Sequence, residues 1–362
     1  MKKNTTIYYV SELNLPSKSA YSIHVMKMCD GFSELGYKVN LFTIKTKNSS
    51  KIFRNYNLRK KFNIFSIFND HINLNFFLRI IFSIKILLKK IDKNNLFVSR
   101  SIIFAIIASI LKKNVVLELH HEITGFTRIL YFISKYLKLI ENLRFIFLHK
   151  ELKKYYKIED KKNIVLDDAS DVKNFSTKKT KKLTNTCVYI GSFFEGKGVE
   201  QIFRLAKKNM KINFHIYGEK KYLINKRKQT NIKIYDYVNY SKIPKILSKY
   251  NVALMPYQKK VKGRSSINLE KYMSPLKMFD YLASRMIIIA SNLDVYKHIL
   301  KNNFNCMLVN INDDDSWTKS INLALSHNKH NGYLKKNAFK TAKNYTWEKR
   351  CKKIILFVKR NS

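Results

Sequence analysis

The first forty residues combine two short apolar runs with an amphipathic segment between them. Residues 6–11 and 39–43 are apolar runs of strand length, which favours buried strands. Residues 22–35 place their large apolar side chains at helical spacing, and Gly36 is suited to end that helix. This order of strand, loop, helix and strand is typical of a doubly wound α/β domain.

The alternation continues along most of the chain, whereas residues 47–75 are polar and irregular and predict no element. The predicted strands are 96–99, 114–119, 187–191, 213–217, 252–257, 286–290 and 306–309. The predicted helices are 76–91, 102–111, 149–156, 240–248, 316–325 capped by Asp315, and 345–359, with a helix-to-strand passage at 129–147. The expected fold class is therefore α/β, with two doubly wound, Rossmann-like domains.

A chain of 362 residues is too long for one hydrophobic core and suits two domains. Residues 173–186 contain five lysines and no acidic residue, which indicates a linker. The predicted divisions are a first domain at 1–172, the linker, a second domain at 187–345, and a C-terminal helix at 346–362 that returns to the first domain.

The most apolar segments, 76–91 and 102–111, are too short or too interrupted for a membrane span and are predicted as buried helices. The short apolar run after Met1 is also too short for a signal peptide, so a cytoplasmic location is expected. The four cysteines are scattered without paired spacing, which favours reduced thiols over a disulfide framework or a zinc site.

The composition is strongly basic, with 70 Lys and Arg against 25 Asp and Glu and a net charge of +45. Such a charge favours a polyanionic partner such as nucleic acid, anionic lipid or a phosphorylated substrate. The chain is also rich in Lys, Asn and Ile together, as an AT-rich genome would produce. Compositional drift therefore explains most of the charge, and attraction to an acidic membrane surface is a plausible consequence.

The stretch Ser-Pro-Leu-Lys-Met-Phe-Asp-Tyr-Leu-Ala, which begins at Ser274, predicts a helix start. Ser274 is a favourable N-cap, and Pro275 at the first helical position needs no N–H donor there. Free N–H groups as far as Leu276, the helix dipole and Lys277 together favour a phosphate site. Asp280, one turn further, is expected as a solvent-facing carboxylate that can accept hydrogen bonds from ribose hydroxyls. A capped surface helix that binds nothing is the alternative.

A second segment with glycine and lysine opens the second predicted domain. Gly191 ends its first strand, and Lys197 and Gly198 precede the next predicted helix. Glycines around a lysine before a helix let the backbone and the ammonium group approach a phosphate closely. Ser192 after the strand and Gly218 after the next strand are further candidates for this site. A glycine turn with a solvated lysine is the alternative.

Polar residues also follow the predicted strand 114–119, which contains Glu118 and leads into His120 and His121. The carboxyl ends of strands in open α/β sheets are where ligands bind. Neighbouring residues on a strand point to opposite faces, so the two histidines are poorly placed to share a metal ion, and no metal site is predicted. His120 is expected at the ligand-binding edge and His121 in a packing or surface role. A buried structural histidine is the alternative for His120.

The decapeptide at Ser274 resembles the donor-site motif of the retaining glycosyltransferases of family four, in the subgroup that reads S-P-L-K-x-F-E/D-Y. That family has two acidic residues separated by seven others; the corresponding positions here are Tyr272, which is not acidic, and Asp280. The segment 191–198, which contains Lys197, resembles the family's G-x-x-x-x-x-K-G motif, with Ser192 where many members have arginine.

The first domain also resembles this family, at residues 19–28, although the glycine pair of many relatives is missing. The resemblance implies acceptor-side positions for Ser19, His24 and Glu118. In relatives, a histidine at the position of His120 reaches across the cleft to the transferred sugar. The resemblance covers nearly the whole chain and is strongest over residues 187–325.

The resemblance implies two Rossmann-like domains that face each other across a cleft, the GT-B arrangement. It implies a nucleotide-sugar in the second domain, an acceptor in the first, and transfer with retention of anomeric configuration and no required metal or other cofactor. Lys197, Lys277 and the helix start would neutralise the leaving diphosphate. Asp280 would orient the ribose, and His120 and the two lysines form the implied catalytic set.

The family's commonest setting implies a hexosyltransferase that acts on a cell-envelope glycan or glycolipid. The expected partners are a nucleotide-sugar and a glycan or lipid-linked acceptor, and no nucleic acid is expected. Peripheral contact with the inner face of an anionic cytoplasmic membrane is left open. One alternative is a non-catalytic basic protein that binds nucleic acid or membrane. Another is a sugar-nucleotide epimerase of the same fold, which needs no acceptor.

Overall fold

A computed structural model describes residues 5–47, 49–175, 180–223, 229–261, 271–326 and 328–360. The chain divides into two compact units. Unit 1 consists of Met1–Asp167 and Trp347–Ser362, and unit 2 of Asp168–Thr346. Each unit is built around a parallel sheet with helices between successive strands.

Within its described residues, unit 1 has a seven-stranded parallel sheet and a small two-stranded ribbon. The strands are β1 (Thr6–Val10), β2 (Asn14–Leu15), β3 (Lys38–Thr43), β4 (Lys45–Thr46), β5 (Asn63–Ser66), β6 (Asn95–Ser99), β7 (Val115–Leu119), β8 (Arg144–Phe147) and β9 (Asn163–Val165). The sheet order is β5-β3-β1-β6-β7-β8-β9, so the direction of winding reverses between β1 and β6. Ligands of doubly wound sheets bind at such a reversal.

Helices cover both faces of this sheet. They are α1 (Ala20–Glu34), α2 (Ser49–Asn55), α3 (Phe76–Leu87), α4 (Ile102–Ile110), α5 (Phe126–Tyr136) and α6 (Lys150–Tyr156). The side chain of Ser19 accepts a hydrogen bond from the N–H of Ser22 at 3.1 Å and so caps α1, which ends before Gly36 at a φ of +84°. All five residues of β1 are buried, as in a central strand with both faces covered.

Within the described residues, unit 2 has a six-stranded parallel sheet in the order β12-β11-β10-β13-β14-β15. Its strands are β10 (Thr186–Ile190), β11 (Asn213–Tyr217), β12 (Ile232–Tyr235), β13 (Val252–Met255), β14 (Ile287–Ser291) and β15 (Met307–Val309). Its helices are α7 (Val172–Phe175), α8 (Val199–Lys208), α9 (Ile243–Leu247), α10 (Leu276–Ala283), α11 (Asp314–Leu325) and α12 (Lys329–Ala342). The winding reverses between β10 and β13, and a buried core that includes Trp317 packs between the sheet and its helices.

The last helix, α13 (Trp347–Arg360), is part of unit 1 and packs on α1. The contact is close, because a Cβ at Gly31 of α1 would meet the Cys351 sulfur at 2.9 Å. The predicted linker 173–186 begins within α7 and ends at β10, and its residues 176–179 lie outside the described residues.

Three predictions of local structure are wrong. Residues 47–75 contain α2 and β5, whose polar, edge-strand sequence carries no clear periodicity. The cap of α11 is Asp313, whose side chain accepts from the N–H of Ser316 at 3.0 Å, so Asp315 lies inside the helix. The segment predicted as the buried helix 76–91 is α3, with one apolar side facing outward.

The four cysteines are buried free thiols, in agreement with the sequence prediction. Among the described helices, none has the length and apolar character required to cross a membrane.

Candidate functional sites

The carboxyl end of β10 brings a glycine and a lysine together. A Cβ on Gly191 would lie 2.5 Å from Lys277 Nζ, so a side chain at this position would displace the amino group. Lys277 lies in the first turn of α10, and the N–H of Ile190 donates to the Tyr281 hydroxyl at 2.9 Å, which fixes α10 against β10. A Cβ on Gly218 would meet the Gly191 carbonyl oxygen and the Phe193 ring. The structure therefore brings Gly191, Gly218 and Lys277 together.

The amino group of Lys277 is buried among aromatic rings. Its Nζ lies 3.6 Å from the Tyr189 ring centroid and 5.2 Å from that of Tyr257, and it has no hydrogen-bond partner among the described residues. Burial first, and then the neighbouring charge of Lys197, hold the pKa of Lys277 well below its usual range. Ring faces compensate a buried cation only in part, so this group is a ready partner for an anion.

Lys197 also lies near Tyr257, with its Nζ 5.1 Å from the ring centroid. Burial lowers the pKa of Lys197 to about 8. Gly198, the N-cap of α8, has a φ of +83°, and a Cβ there would overlap the Pro256 carbonyl oxygen. This tight turn requires glycine and places Lys197 at the start of α8.

Ser192 and Ser274 each take part in a hydrogen bond that involves the backbone. The Ser192 carbonyl oxygen accepts a hydrogen bond from the Tyr189 hydroxyl at 2.8 Å. The Ser274 hydroxyl oxygen accepts from the N–H of Asp168 at 3.0 Å, and the prediction that Ser274 caps the helix is wrong. Pro275 is the N-cap, in an extended conformation with φ −72° and ψ 122°, and α10 begins one residue later than predicted, at Leu276.

Asp280 is buried, with 5% of its surface exposed, and its Oδ1 accepts from the Tyr240 hydroxyl at 2.8 Å. The expectation of a solvent-facing carboxylate is therefore wrong. The reason is that every residue from Met278 to Ala283 in α10 is buried. A role of Asp280 toward a ribose stays a prediction.

In unit 1, the side chain of Glu118 collects several donors inside the protein. Its Oε1 lies 2.8 Å from His24 Nε2, 2.7 Å from His120 Nε2 and 3.0 Å from Arg350 Nη2. Its Oε2 accepts from the Tyr9 hydroxyl at 3.3 Å. Burial alone would raise the pKa of Glu118, but the charges of Arg350 and His24 hold it well below its usual range.

An ionised Glu118 can only accept hydrogen bonds, so His120 donates its Nε2–H and keeps Nδ1 as an acceptor. Burial first, and then the charge of Arg100, lower the pKa of His120 to about 3, which keeps the imidazole neutral near pH 7. His121 bonds elsewhere, with Nδ1 2.7 Å from the Glu122 carbonyl oxygen. The two histidines therefore have different hydrogen-bond partners.

Three groups of metal-ligand type meet here, because the ligand atoms of His24, Glu118 and His120 lie within 4.8 Å of one another. Arg350 already places a positive charge 3.0 Å from the carboxylate oxygen that both histidines approach. A metal ion at that oxygen would face this guanidinium group directly. The geometry therefore fits a hydrogen-bonded network around one carboxylate better than a metal centre.

The edge of the sheet at the reversal between β1 and β6 is also polar. The Arg100 guanidinium lies 3.9 Å over the Tyr21 ring, and the Ser11 hydroxyl donates to the Tyr21 hydroxyl at 2.9 Å. The Ser101 hydroxyl donates to Glu12 at 2.6 Å. This group offers charge and hydrogen bonds where a doubly wound sheet binds ligands.

Sequence reasoning missed several residues of these sites. Tyr189 and Tyr257 carry no sequence signal, because their rings meet the lysines only in the fold. Arg350 lies far along the chain in α13, and Arg100 follows a strand in the same manner as His120. The expectation that ligands bind at the carboxyl ends of strands, applied to β6 as well as β7, would have found Arg100.

The family model described as Glycosyl transferases group 1 matches residues 171–341, which lie in unit 2. No curated protein sequence matches this chain. The chain is similar in structure to a glycosyltransferase from Rickettsia africae, with a TM-score of 0.74 and 13% identity, covering 99% of this chain and 98% of that one.

Two further solved structures have comparable scores. HepE of Anabaena in complex with UDP-glucose gives a TM-score of 0.72 at 9% identity, covering 99% of this chain and 100% of that chain. TarM of S. aureus in complex with Fondaparinux, alpha-GlcNAc-glycerol and UDP gives 0.71 at 12% identity, covering 98% and 99%. Likeness at these identities shows the fold. The chain has the mixed α/β architecture of GT-B glycosyltransferase structures, so the predicted fold class is confirmed.

Proposed function

We propose that this protein is a retaining glycosyltransferase that moves a sugar from a nucleotide-sugar to a glycan or lipid-linked acceptor of the cell envelope. The observation that carries the proposal is the buried amino group of Lys277 beside Gly191 at the β10 edge, which has no hydrogen-bond partner within the described part of the chain. The family match over unit 2 and the structural likeness support a glycosyltransferase. HepE with UDP-glucose and TarM with UDP support a nucleotide-linked donor.

The difficult step is departure of the nucleoside diphosphate. The bond between the anomeric carbon and a phosphate oxygen breaks, and its electron pair leaves negative charge on the diphosphate. Lys197 and Lys277, both preorganised against Tyr257, stabilise that charge as it develops. These two lysines perform the task that a divalent ion performs in other enzymes, so the reaction needs no metal.

Unit 1 binds the acceptor. An acceptor hydroxyl forms the new bond to the anomeric carbon, and its proton passes to the leaving phosphate oxygen. The polar edge with Arg100 and Tyr21 binds the acceptor. Ser19 caps the nearby helix α1, and His24 is buried within it. His120 offers Nδ1 to a sugar hydroxyl, and Asp280 takes the ribose once Tyr240 yields its hydrogen bond.

A thermal-shift panel of UDP-, GDP- and ADP-sugars tests the proposal. Ligand at a hundred times its dissociation constant stabilises the native state by about 2.7 kcal/mol, which raises the melting temperature measurably. One class of nucleotide should raise it, and inorganic phosphate should raise it less. Stabilisation by RNA alone, with no response to any nucleotide sugar, would identify a basic binding protein and overturn the proposal.

A further inference from the structure

Three neighbouring helices of unit 1 carry an unusual outer surface. Helix α4 packs between α3 and α5, and the Phe76 ring at the start of α3 lies 4.8 Å from the Phe126 ring at the start of α5. The three helices belong to successive crossovers in one direction along the sheet, so right-handed connections place them on one side of it. We call their outer surface the α3–α5 face. Its large exposed apolar residues are Phe77, Ile81, Ile84, Leu88, Ile110, Leu111, Phe126, Ile129, Phe132, Ile133, Tyr136 and Leu137.

Helix α5 reverses the usual arrangement of a surface helix. Its buried positions include Thr127 and Ser134, whereas Ile129 and Ile133 are 54% and 51% exposed and Tyr136 is 86% exposed. A surface helix normally turns its apolar stripe toward the core. The core takes Thr127, Tyr131 and Ser134 from α5 and leaves Ile129 and Ile133 outside, so the outer stripe is suited to a second apolar medium.

Helix α3 continues the same surface. Phe77, Ile81, Ile84 and Leu88 recur at helical spacing and are exposed, with Phe77 at 74% and Leu88 at 81%. Apolar patches of this extent on a soluble chain generally mark a contact with protein or membrane.

The charge of the α3–α5 face is of one sign. Residues 76–91, 102–113 and 126–140 contain no acidic residue. The exposed basic residues there are Lys85, Lys89, Lys90, Lys112, Lys113, Arg128, Lys135 and Lys138. An apolar stripe bordered by lysines is the pattern of a surface that lies in the interface of an anionic bilayer, with long basic side chains reaching the headgroups.

We propose that the α3–α5 face docks unit 1 on an anionic lipid bilayer. The occupant is a membrane surface and not a second copy of the chain, because two copies of this face would oppose like charges. Nucleic acid fits less well, since its binding relies on phosphate contacts and leaves the aliphatic stripe exposed to water. The contact lies on the membrane surface, because no described helix is suited to span it. This inference goes beyond the proposed function, since it concerns no residue of the nucleotide site.

The test is co-sedimentation of the full chain with vesicles of phosphatidylcholine, with and without phosphatidylglycerol. The wild type should bind the anionic vesicles and scarcely the neutral ones. Ile129→Ser with Ile133→Ser, which leaves the charge unchanged, should reduce partitioning by about tenfold or more. The matched control is Met210→Ser with Leu323→Ser, two exposed residues of unit 2, which should bind as the wild type does.

A second comparison tests the charge. Lys89→Glu with Lys90→Glu should weaken binding to the anionic vesicles strongly, whereas Lys207→Glu with Lys211→Glu in unit 2 should not. Equal binding by the isoleucine variant and the wild type would show that net charge alone acts and would overturn the proposal. A dimer in sedimentation velocity that the isoleucine variant abolishes would identify a second copy instead. UDP affinity should be unchanged in all four variants, so this test and that of the nucleotide site fail separately.

Discussion

Lys277 illustrates how a residue can be unfavourable for the fold and necessary for a ligand. Its amino group is buried without a hydrogen-bond partner among the described residues and rests on the Tyr189 ring. Burying such a group costs stability unless a partner is supplied. A diphosphate supplies that partner, so the cost incurred on folding is recovered on binding.

Lys277→Met should therefore change affinity and stability in opposite senses. Loss of a charge-assisted hydrogen bond should weaken UDP binding by about 10- to 100-fold, or roughly 1.5–3 kcal/mol. The free energy of unfolding without ligand should stay constant or rise. Calorimetry and urea titration measure the two quantities, with Lys207→Met, an exposed lysine of α8, as the control. A destabilised variant with normal UDP affinity would assign Lys277 a structural role.

Lys197 gives the site a pH dependence. Burial lowers its pKa in the folded protein from 10.5 to about 8, so between these values the unfolded chain binds more protons than the folded one. This contribution to stability therefore rises as pH increases from about 8 to 10.5. A bound diphosphate favours the charged amine, so binding takes up protons and affinity should fall as pH rises from 7 to 9.

Calorimetry in two buffers of different ionisation enthalpy measures this proton uptake directly. Lys277, whose pKa is also lowered by burial, contributes in the same direction. Lys197→Met should flatten the pH dependence. Affinity that is constant over this range would show that the free lysines are already fully charged and would contradict the assignment.

His120 and His121 form a natural pair of test and control. His120→Ala should reduce turnover by one to two orders of magnitude, because a hydrogen bond lost in a desolvated transition state costs about 3 kcal/mol. UDP affinity should hardly change, and His121→Ala should be mild, since His121 bonds to the Glu122 backbone. Steady-state kinetics with calorimetry check both. Near-normal turnover in His120→Ala would leave the histidine as a packing residue of the Glu118 network.

At the residue scale, sequence reasoning found groups whose chemistry is local. Lys277 was predicted from a helix start and Gly191 from a strand end. That the two residues lie side by side, with Lys277 Nζ 2.5 Å from where a Cβ on Gly191 would be, is seen only in the fold. The hydrogen bonds of Asp280 and Ser274 could not be predicted, because Tyr240 and Asp168 are distant in sequence. Arg350 escaped prediction for the same reason.

At the scale of elements, a buried ion pair joins α13 to the sheet of unit 1, in addition to the packing of α13 on α1. Arg350 donates to Glu118 at 3.0 Å, to the Asp167 carbonyl oxygen at 2.8 Å and to that of Leu166 at 3.1 Å. Removal of one partner leaves a buried carboxylate short of compensation. The helix therefore connects the end of the first sheet to the network that holds His120.

Arg350→Met should lower the free energy of unfolding by about 3–5 kcal/mol. Glu118→Gln together with Arg350→Met should recover part of this loss, because neither charge then remains. Urea titration measures all variants, with Lys353→Met on the exposed side of α13 as the control. If Arg350→Met and Lys353→Met were equally stable, α13 would be held by its apolar contacts alone.

Periodicity predicted the position of elements well and their exposure poorly. The bounds of β11 match the prediction, and those of β1, β3 and α4 agree within one or two residues. The apolar side of α3 was predicted as buried, because periodicity reports how many apolar residues a helix has and not which medium they face. Element ends were also less accurate where several capping residues follow one another, as at Asp313–Asp315.

At the scale of the whole molecule, two sheets with the same winding order place their reversal points at β1 and β6 and at β10 and β13. This architecture was predictable from the repeated order of strand and helix, because short right-handed connections permit few alternatives. The donor sugar and the acceptor were not predictable, since they depend on side-chain positions within each unit. Transfer of a sugar is tested only by identifying the products, because binding experiments do not detect it.

The direct measurement is chromatography of products from the nucleotide sugar that the thermal-shift panel selects, with and without an extract of envelope glycolipids. We expect nucleoside diphosphate and a glycosylated lipid or glycan in equal amounts, an unchanged anomeric configuration by NMR, and no effect of EDTA. An epimerised nucleotide sugar formed without acceptor would contradict this expectation, as would a reaction that EDTA stops and magnesium restores.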